Sequence, residues 1–163
     1  MQRRIAEAGP RAIAETIFDV SFAEAKAEWL TGALGRIARE RGGFALDFLG
    51  SMPMAAALAW LERLPGVGRK VSAATLNAST LDRPLMIVDS HVLRVLQRLG
   101  FVAATADARA ASEAVTAAMP DWSGEAFLHF HLVAKRLGQR ACRAVAPDCS
   151  ACPLRHECPS RLT

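Results

Sequence analysis

Cysteine is absent from residues 1–141, and the chain lacks any unbroken apolar run of about 18 residues, the length that a membrane-spanning helix needs. A disulfide framework would spread its cysteines along a secreted chain, so this distribution disfavours one. Two N-terminal arginines have no apolar run after them, and Glu7 and Glu15 come next, which argues against a secretory or mitochondrial leader. We therefore expect a cytoplasmic protein without a membrane partner.

Low-complexity tracts and repeats of fixed period are also missing, and 22% of the residues are charged while 52% are hydrophobic. This composition supplies a buried core and excludes a disordered chain, and 163 residues correspond to one domain or two small ones. Alanine and leucine dominate between short glycine and proline breaks, so the sequence predicts an all-α protein. The pattern indicates helices over 22–40, 54–64, 69–79, 90–99, 107–119 and 124–138, with a connection over 43–53 and a short apolar run over 85–88.

The formal net charge of +4 is confined to the C-terminal end of the chain. Residues 133–163 contain six basic and two acidic side chains, whereas the other 132 residues contain 14 of each. Such a concentration of positive charge indicates a polyanionic partner or, as the alternative, a solvated tail without a partner.

Residues 64–70 read LPGVGRK and join two apolar helices. Gly66 and Gly68 flank Val67, which permits a tight reversal and a close approach of the backbone to another molecule. The first amides of the second helix, which begins near Arg69, have no partner within the helix and lie at its positive end, so they suit one phosphate. The spacing is not that of a nucleotide-binding P-loop. The alternative is an ordinary tight turn between two helices.

All four cysteines of the chain lie within 17 residues, with the spacing Cys-x6-Cys-x2-Cys-x5-Cys: Cys142, Cys149, Cys152 and Cys158. Clustered thiolates on a short irregular loop indicate a metal centre in a reducing compartment. Four thiolates can wrap an iron–sulfur cluster, and they also suit tetrahedral zinc. Zinc sites more often carry two Cys-x2-Cys pairs, whereas this loop has one.

The segment LPGVGRK, the later VDSH at 88–91 and the cysteine spacing follow one another as in the helix–hairpin–helix DNA glycosylases. Over about residues 15–163 the chain resembles the endonuclease III branch of that superfamily. The resemblance implies a two-lobed all-α fold, with an incomplete helical barrel carrying the hairpin over 1–83 and a second lobe over 84–163. It also implies an active site in the cleft between the lobes, and it identifies the cysteine segment as a [4Fe–4S] loop.

The family uses a lysine at the position of Lys70 as a nucleophile and an aspartate at the position of Asp89 to assist it. Lys70 lies in the first turn of its helix, where the helix dipole and the adjacent Arg69 disfavour further positive charge and so favour the attacking free amine. A carboxylate at Asp89 can stabilise the charge that develops as a base departs, and it can equally cap a helix. For Lys70 the alternative is an exposed lysine or one that contacts phosphate.

The implied reaction belongs to base-excision repair. The lysine attacks the sugar carbon C1′ of a damaged nucleotide, an imine forms between Lys70 and DNA, and β-elimination cuts the strand; the resemblance implies oxidised pyrimidines as the excised bases. Adenine-excising relatives usually carry serine at the lysine position, so Lys70 disfavours a monofunctional adenine glycosylase. The other alternative is a non-catalytic or lyase-only DNA-binding paralogue or fragment of the family.

The implied partner is double-stranded DNA with a damaged base or an abasic site, and we expect a monomer associated with the nucleoid. The hairpin and the cysteine loop would supply the contacts to DNA phosphates: Gly66, Val67, Gly68, Arg69, Arg143 and Arg155.

Two features depart from the family pattern. The family's N-terminal stretch adds helices to both lobes and a glutamine that fills the space left by the flipped base; residues 1–20 contain no counterpart, so we expect a shortened chain. A side chain that wedges between bases would fall near Phe22, where burial in the core is the favoured interpretation. His91 belongs to the VDSH motif, whereas His129 and His131 are expected to be packing or surface residues.

Overall fold

The computed structural model describes residues 2–161, and within this range it contains eight α-helices, one 3-10 turn and no β-strand. The predicted all-α class is confirmed. None of the helices in the described range is long and apolar enough to cross a membrane. The elements are α1 (Gln2–Glu7), α2 (Gly9–Thr16), α3 (Ala23–Arg41), the 3-10 turn (Asp47–Gly50), α4 (Met54–Glu62), α5 (Arg69–Asn77), α6 (Ser90–Arg98), α7 (Ala108–Ala118) and α8 (Gly124–Arg140).

The helices from α3 onward begin and end close to the positions that the sequence predicts, and several of these boundaries carry a residue suited to a helix end. Gly42 ends α3 in the left-handed conformation (φ 68°), which glycine adopts without a steric penalty. The side chains of Asp107 and Ser123 accept hydrogen bonds from the amides of Ala110 and Ala126 and so begin α7 and α8. α1 and α2 lie in a segment for which the sequence predicted no helix.

The chain divides into two compact units, Met1–Gly68 and Arg69–Thr163. The sequence placed this division at residue 83, whereas the structure groups residues 69–83 with the second unit. The side-chain amide of Asn77 explains the difference, since it donates to the carbonyl of Arg83 at 3.1 Å and to that of Gly124 at 2.8 Å. These bonds attach α5 and the loop that follows it to the start of α8.

In the first unit, α1 and α2 pack on α3, and the buried side chains come from α2, α3, the 3-10 turn and α4. Phe22, which precedes α3, does not join this core. Its side chain is 81% exposed and its backbone is left-handed (φ 59°, ψ 39°), an unusual conformation for a bulky residue. The interpretation of Phe22 as a core residue is therefore wrong.

Two contacts fasten the turn after α4 to α3 within the first unit. Gly66 has φ 70°, and a Cβ placed on it would lie 2.6 Å from Cβ of Trp29, so both the backbone angle and the packing require glycine. Pro65 packs against α3 at Gly32, where an added Cβ would lie 3.3 Å from Cγ of the proline. Farther along α3, Arg36 bonds to Glu40 at 2.7 Å, and this bond together with Arg63 lowers the pKa of the glutamate.

The second unit surrounds a core that α6, α7 and α8 share with a segment outside any helix, Leu85–Val88. All four residues of this segment are buried, and among the described residues it pairs with no strand, so its backbone groups need other partners. Side chains supply three of these partners. The Met86 amide donates to Thr116 Oγ1 at 3.0 Å, the Met86 carbonyl accepts from Ser112 Oγ at 2.7 Å, and the Ile87 carbonyl lies 2.8 Å from His131 Nδ1.

His131 illustrates how these polar side chains serve the fold. A carbonyl oxygen only accepts, so Nδ1 of His131 carries the proton of this bond. The residue is buried, which confirms the expectation of a packing role, and His129, two residues earlier on α8, is exposed, as expected for a surface residue.

Replacing His131 by phenylalanine should lower the free energy of unfolding by about 1–3 kcal/mol, because the buried Ile87 carbonyl would lose its donor. Urea denaturation followed by circular dichroism measures this change. The matched control is His129→Phe on the exposed face of α8. Equal effects of the two substitutions would contradict a structural role for the bond.

Candidate DNA active site

Lys70 lies in the first turn of α5, and its side chain is exposed. Arg69 beside it is oriented differently: its side chain is 7% exposed, and Nη1 lies 3.2 Å from the carboxylate of Glu113 on α7. The charge of Arg69 is thus offset by Glu113 and is not free to act on Lys70 as the sequence suggested.

The glycines before α5 differ in what they contribute. Gly66 is required by its backbone angle and by Trp29, as described above. Gly68 has no positive φ, and a Cβ built on it would meet nothing within 4 Å. The backbone at Gly68 is therefore open to a ligand, whereas Val67 between the glycines is half-buried and bonds through its amide to the carbonyl of Leu64 at 3.1 Å.

Asp89 follows the buried segment directly and forms the N-cap of α6. Its Oδ1 atom accepts from the amides of His91 and Val92, each at 2.9 Å, and its backbone is extended (φ −101°, ψ −179°). The capping role that the sequence offered as one interpretation is confirmed by this geometry. Oδ2 takes no part in the cap and lies 3.9 Å from Nζ of Lys135 on α8. Within residues 2–161, no ion pair joins Lys70 to Asp89.

The four cysteines come together at the C-terminal end of the second unit. All are half-buried, and all line one cavity of about 140 Å³, together with Arg98, Arg155 and Arg161. The loop is shaped by Asp148, whose Oδ1 accepts from the Ser150 hydroxyl at 2.7 Å and from the Ala151 amide at 3.1 Å. The hydrogen bond from Ser150 is the main reason that the pKa of Asp148 is below its usual value.

Two arginines of α6 hold the first part of the cysteine segment. Arg94 donates through Nε to the Cys142 carbonyl at 2.8 Å and through Nη2 to the Gly138 carbonyl at 2.7 Å. Arg98 donates to the Arg143 carbonyl at 2.7 Å, and its Nη1 lies 3.4 Å from Sγ of Cys142. The sequence did not point to these roles, although the i, i+4 spacing of the two arginines places them on one face of α6, beside its apolar stripe.

The two arginines predicted to contact DNA from the cysteine loop are both exposed. Arg143 donates from Nη2 to the Ala146 carbonyl at 2.9 Å, and Arg155 donates from Nε to His156 at 2.9 Å. Each therefore supports the loop while its guanidinium faces solvent. Contact with DNA at these positions stays a prediction.

The donor set of the cysteine segment fits both kinds of metal centre that the sequence left open. Four thiolates can bind one tetrahedral zinc ion or one iron–sulfur cluster. All four thiols line one cavity of about 140 Å³. Among the described residues, no three histidine, cysteine, aspartate or glutamate side chains are placed to hold a metal ion.

Known structures share this fold. Two structures of endonuclease III with DNA, one of a trapped covalent intermediate and one non-covalent, superimpose with a TM-score of 0.76 over 98% of this chain and 68% of theirs, at 23% sequence identity. A thermostable thymine-DNA glycosylase superimposes with a TM-score of 0.73 at 20% identity. At these identities the likeness establishes the fold, that of the helix–hairpin–helix DNA glycosylases. No family model matches the chain.

Sequence relatives establish the family. Endonuclease III of Thermotoga maritima is 30% identical over 158 residues, which cover 96% of this chain and 67% of that relative. Endonuclease III of Synechocystis sp. is 32% identical over a match that covers 91% of this chain and 62% of that relative. Endonuclease III of Rickettsia felis is 35% identical over a match that covers 60% of this chain and 44% of that relative. The chain thus spans about half to two-thirds of the relatives that it matches. It belongs to the endonuclease III family, and the resemblance predicted from the sequence is confirmed.

The contribution of the Asp89 cap to stability can be tested without measuring catalysis. Asp89→Ala should lower the free energy of unfolding by about 0.5–2 kcal/mol, because the amides of His91 and Val92 lose their acceptor, while Asp89→Ser should retain most of the stability. Thermal unfolding of both variants measures the difference. An alanine variant as stable as the serine variant would mean that the cap contributes nothing.

Proposed function

We propose that the chain is a bifunctional DNA glycosylase and abasic-site lyase of base-excision repair that removes oxidised pyrimidines from double-stranded DNA. Lys70 is the nucleophile and Asp89 assists it. The observation that carries this proposal is an exposed amine at the start of α5 in a member of the endonuclease III family. The target nucleotide must leave the stack, because its sugar carbon is out of reach inside a duplex.

The proposed reaction assigns one task to each side chain. Nζ of Lys70 attacks C1′, and the damaged base departs with the electron pair of the bond that joined it to the sugar. Oδ2 of Asp89, the oxygen outside the helix cap, stabilises the positive charge that builds on the sugar. The sugar ring opens to an imine on Lys70. Loss of a C2′ proton then expels the 3′ phosphate, and hydrolysis of the imine releases the lysine.

DNA contacts are proposed from both units separately. In the second unit, the first amides of α5 bind one phosphate at the positive end of the helix, while Arg143 and Arg155 contact the backbone. In the first unit, Phe22 is the candidate wedge between bases, since an exposed phenylalanine held in a left-handed backbone is costly without a function. Binding to DNA would bring the chain to the nucleoid.

The cofactor proposed for the cysteine segment is a [4Fe–4S] cluster held by Cys142, Cys149, Cys152 and Cys158. The cavity that all four thiols line supports a shared ligand set, and the single Cys-x2-Cys pair together with membership of the endonuclease III family supports a cluster over a single zinc ion. When bound, the cluster supplies a structural link and no step of the base excision. The segment itself has little apolar core, so its shape depends on the arginine bonds described above and on this link.

Reductive trapping tests the lyase. With borohydride and DNA that contains thymine glycol or an abasic site, the protein should form a covalent adduct, because the imine becomes a stable amine. Lys70→Gln should abolish the adduct, and Lys26→Gln, an exposed lysine on α3, is the matched control. Tight binding of DNA without any adduct would instead support the non-catalytic binding module, and trapping with abasic DNA alone would indicate a lyase without glycosylase activity.

The proposed cysteine ligands of the cluster can be tested separately from the reaction. Cys149→Ser should reduce the iron content and the yield of folded protein, because the loop loses one of its four links. Val145→Ala, an 84% exposed position in the same segment, should change neither. Iron analysis and the soluble yield are the measurements, and normal values for the serine variant would contradict the proposed ligand set.

A further inference from the structure

Asp89 has a neighbour on α8 that the proposed reaction does not yet use. Nζ of Lys135 lies 3.9 Å from Oδ2, the carboxylate oxygen that is outside the helix cap. Asp89 is 15% exposed and Lys135 is 38% exposed, so the pair sits at the surface with its carboxylate side partly buried. At 3.9 Å the interaction is electrostatic and exceeds normal hydrogen-bond length, which leaves Oδ2 able to act on a substrate.

Contacts on both sides of Lys135 determine its position. One turn earlier on α8, His131 bonds to the Ile87 carbonyl at 2.8 Å. One turn later, Gly138 lies so close to α6 that an added Cβ would be 2.8 Å from the carbonyl oxygen of His91. The face of α8 that carries His131 and Gly138 therefore runs alongside residues 87–91. This arrangement places Lys135 opposite Asp89.

The other charged and titratable side chains near Asp89 and Lys135 have other hydrogen-bond partners. Arg94 donates to the carbonyls of Gly138 and Cys142, and its Nη2 lies 3.2 Å from Nδ1 of His91. Nδ1 of His131 is occupied by Ile87. Within residues 2–161, the ion pair of Asp89 is with Lys135.

We propose that Lys135 is a positioning residue that holds Oδ2 of Asp89 in its working orientation. The inference rests on the proposed function, since it concerns the carboxylate assigned there to the departing base. The two hydrogen bonds from backbone amides fix Oδ1 of Asp89, but the carboxylate can still rotate about that anchored atom. The ammonium group of Lys135 draws Oδ2 toward α8 and limits that rotation. The Asp89 carboxylate therefore spends a larger fraction of the time in the orientation that faces the sugar.

The test is a double-mutant cycle on turnover of thymine-glycol DNA. Lys135→Gln should lower kcat on the order of threefold to tenfold with little change in KM, because the charge acts on the carboxylate and not on substrate affinity. Lys135→Arg should restore most of kcat. In an Asp89→Asn background, Lys135→Gln should have no further effect, because the charge on which it acts is gone.

Arg136→Gln is the matched control, since Arg136 is an exposed neighbour on α8. If Lys135→Gln raises KM or weakens DNA binding as much as it lowers kcat, Lys135 contacts phosphate and the positioning role is overturned. Additive effects of Lys135→Gln and Asp89→Asn would overturn it as well. Absence of turnover in the unaltered chain would overturn the proposed function itself, whereas normal kcat in Lys135→Gln would overturn only this inference.

Discussion

The buried segment Leu85–Val88 is the constraint on which the second unit depends. An apolar segment buried outside any helix or sheet leaves backbone donors and acceptors in the core that need other partners. Ser112 and Thr116 from α7 and His131 from α8 bond to three of these groups, on Met86 and Ile87. These bonds attach α7 and α8 to the segment that leads directly into Asp89.

The same constraint connects the carboxylate to the cysteine segment. Asp89 starts α6, and two arginines farther along α6 hold the backbone of Cys142 and Arg143. α8, which carries Lys135 beside Asp89, leads directly into the first cysteine. Within the second unit, α6 and α8 thus connect the cysteine segment to Asp89, so the proposed cluster and the carboxylate share two supporting helices.

The sequence predicted the all-α fold, most helix bounds and the capping role of Asp89 correctly, for identifiable reasons. Helices such as α6 and α8 have strong apolar periodicity and capping residues, so their bounds were predictable. Asp89 was recognisable as a cap because its side chain acts locally. The ion pair of Lys135, the bond of Asn77 to Gly124 and the pairing of Arg69 with Glu113 were not predictable, because each joins residues that are distant in the chain. Phe22 was misjudged because hydrophobicity alone does not reveal a left-handed, exposed backbone position.

The central claim is that the amine at the start of α5 becomes bonded to the sugar of damaged DNA. Mass-spectrometric peptide mapping of the borohydride-trapped complex tests it most directly, because it identifies the modified side chain without any substitution. We expect the sugar remnant on Lys70. A remnant on Lys135, or an adduct spread over several surface lysines, would contradict both the assigned nucleophile and the division of roles between the two lysines.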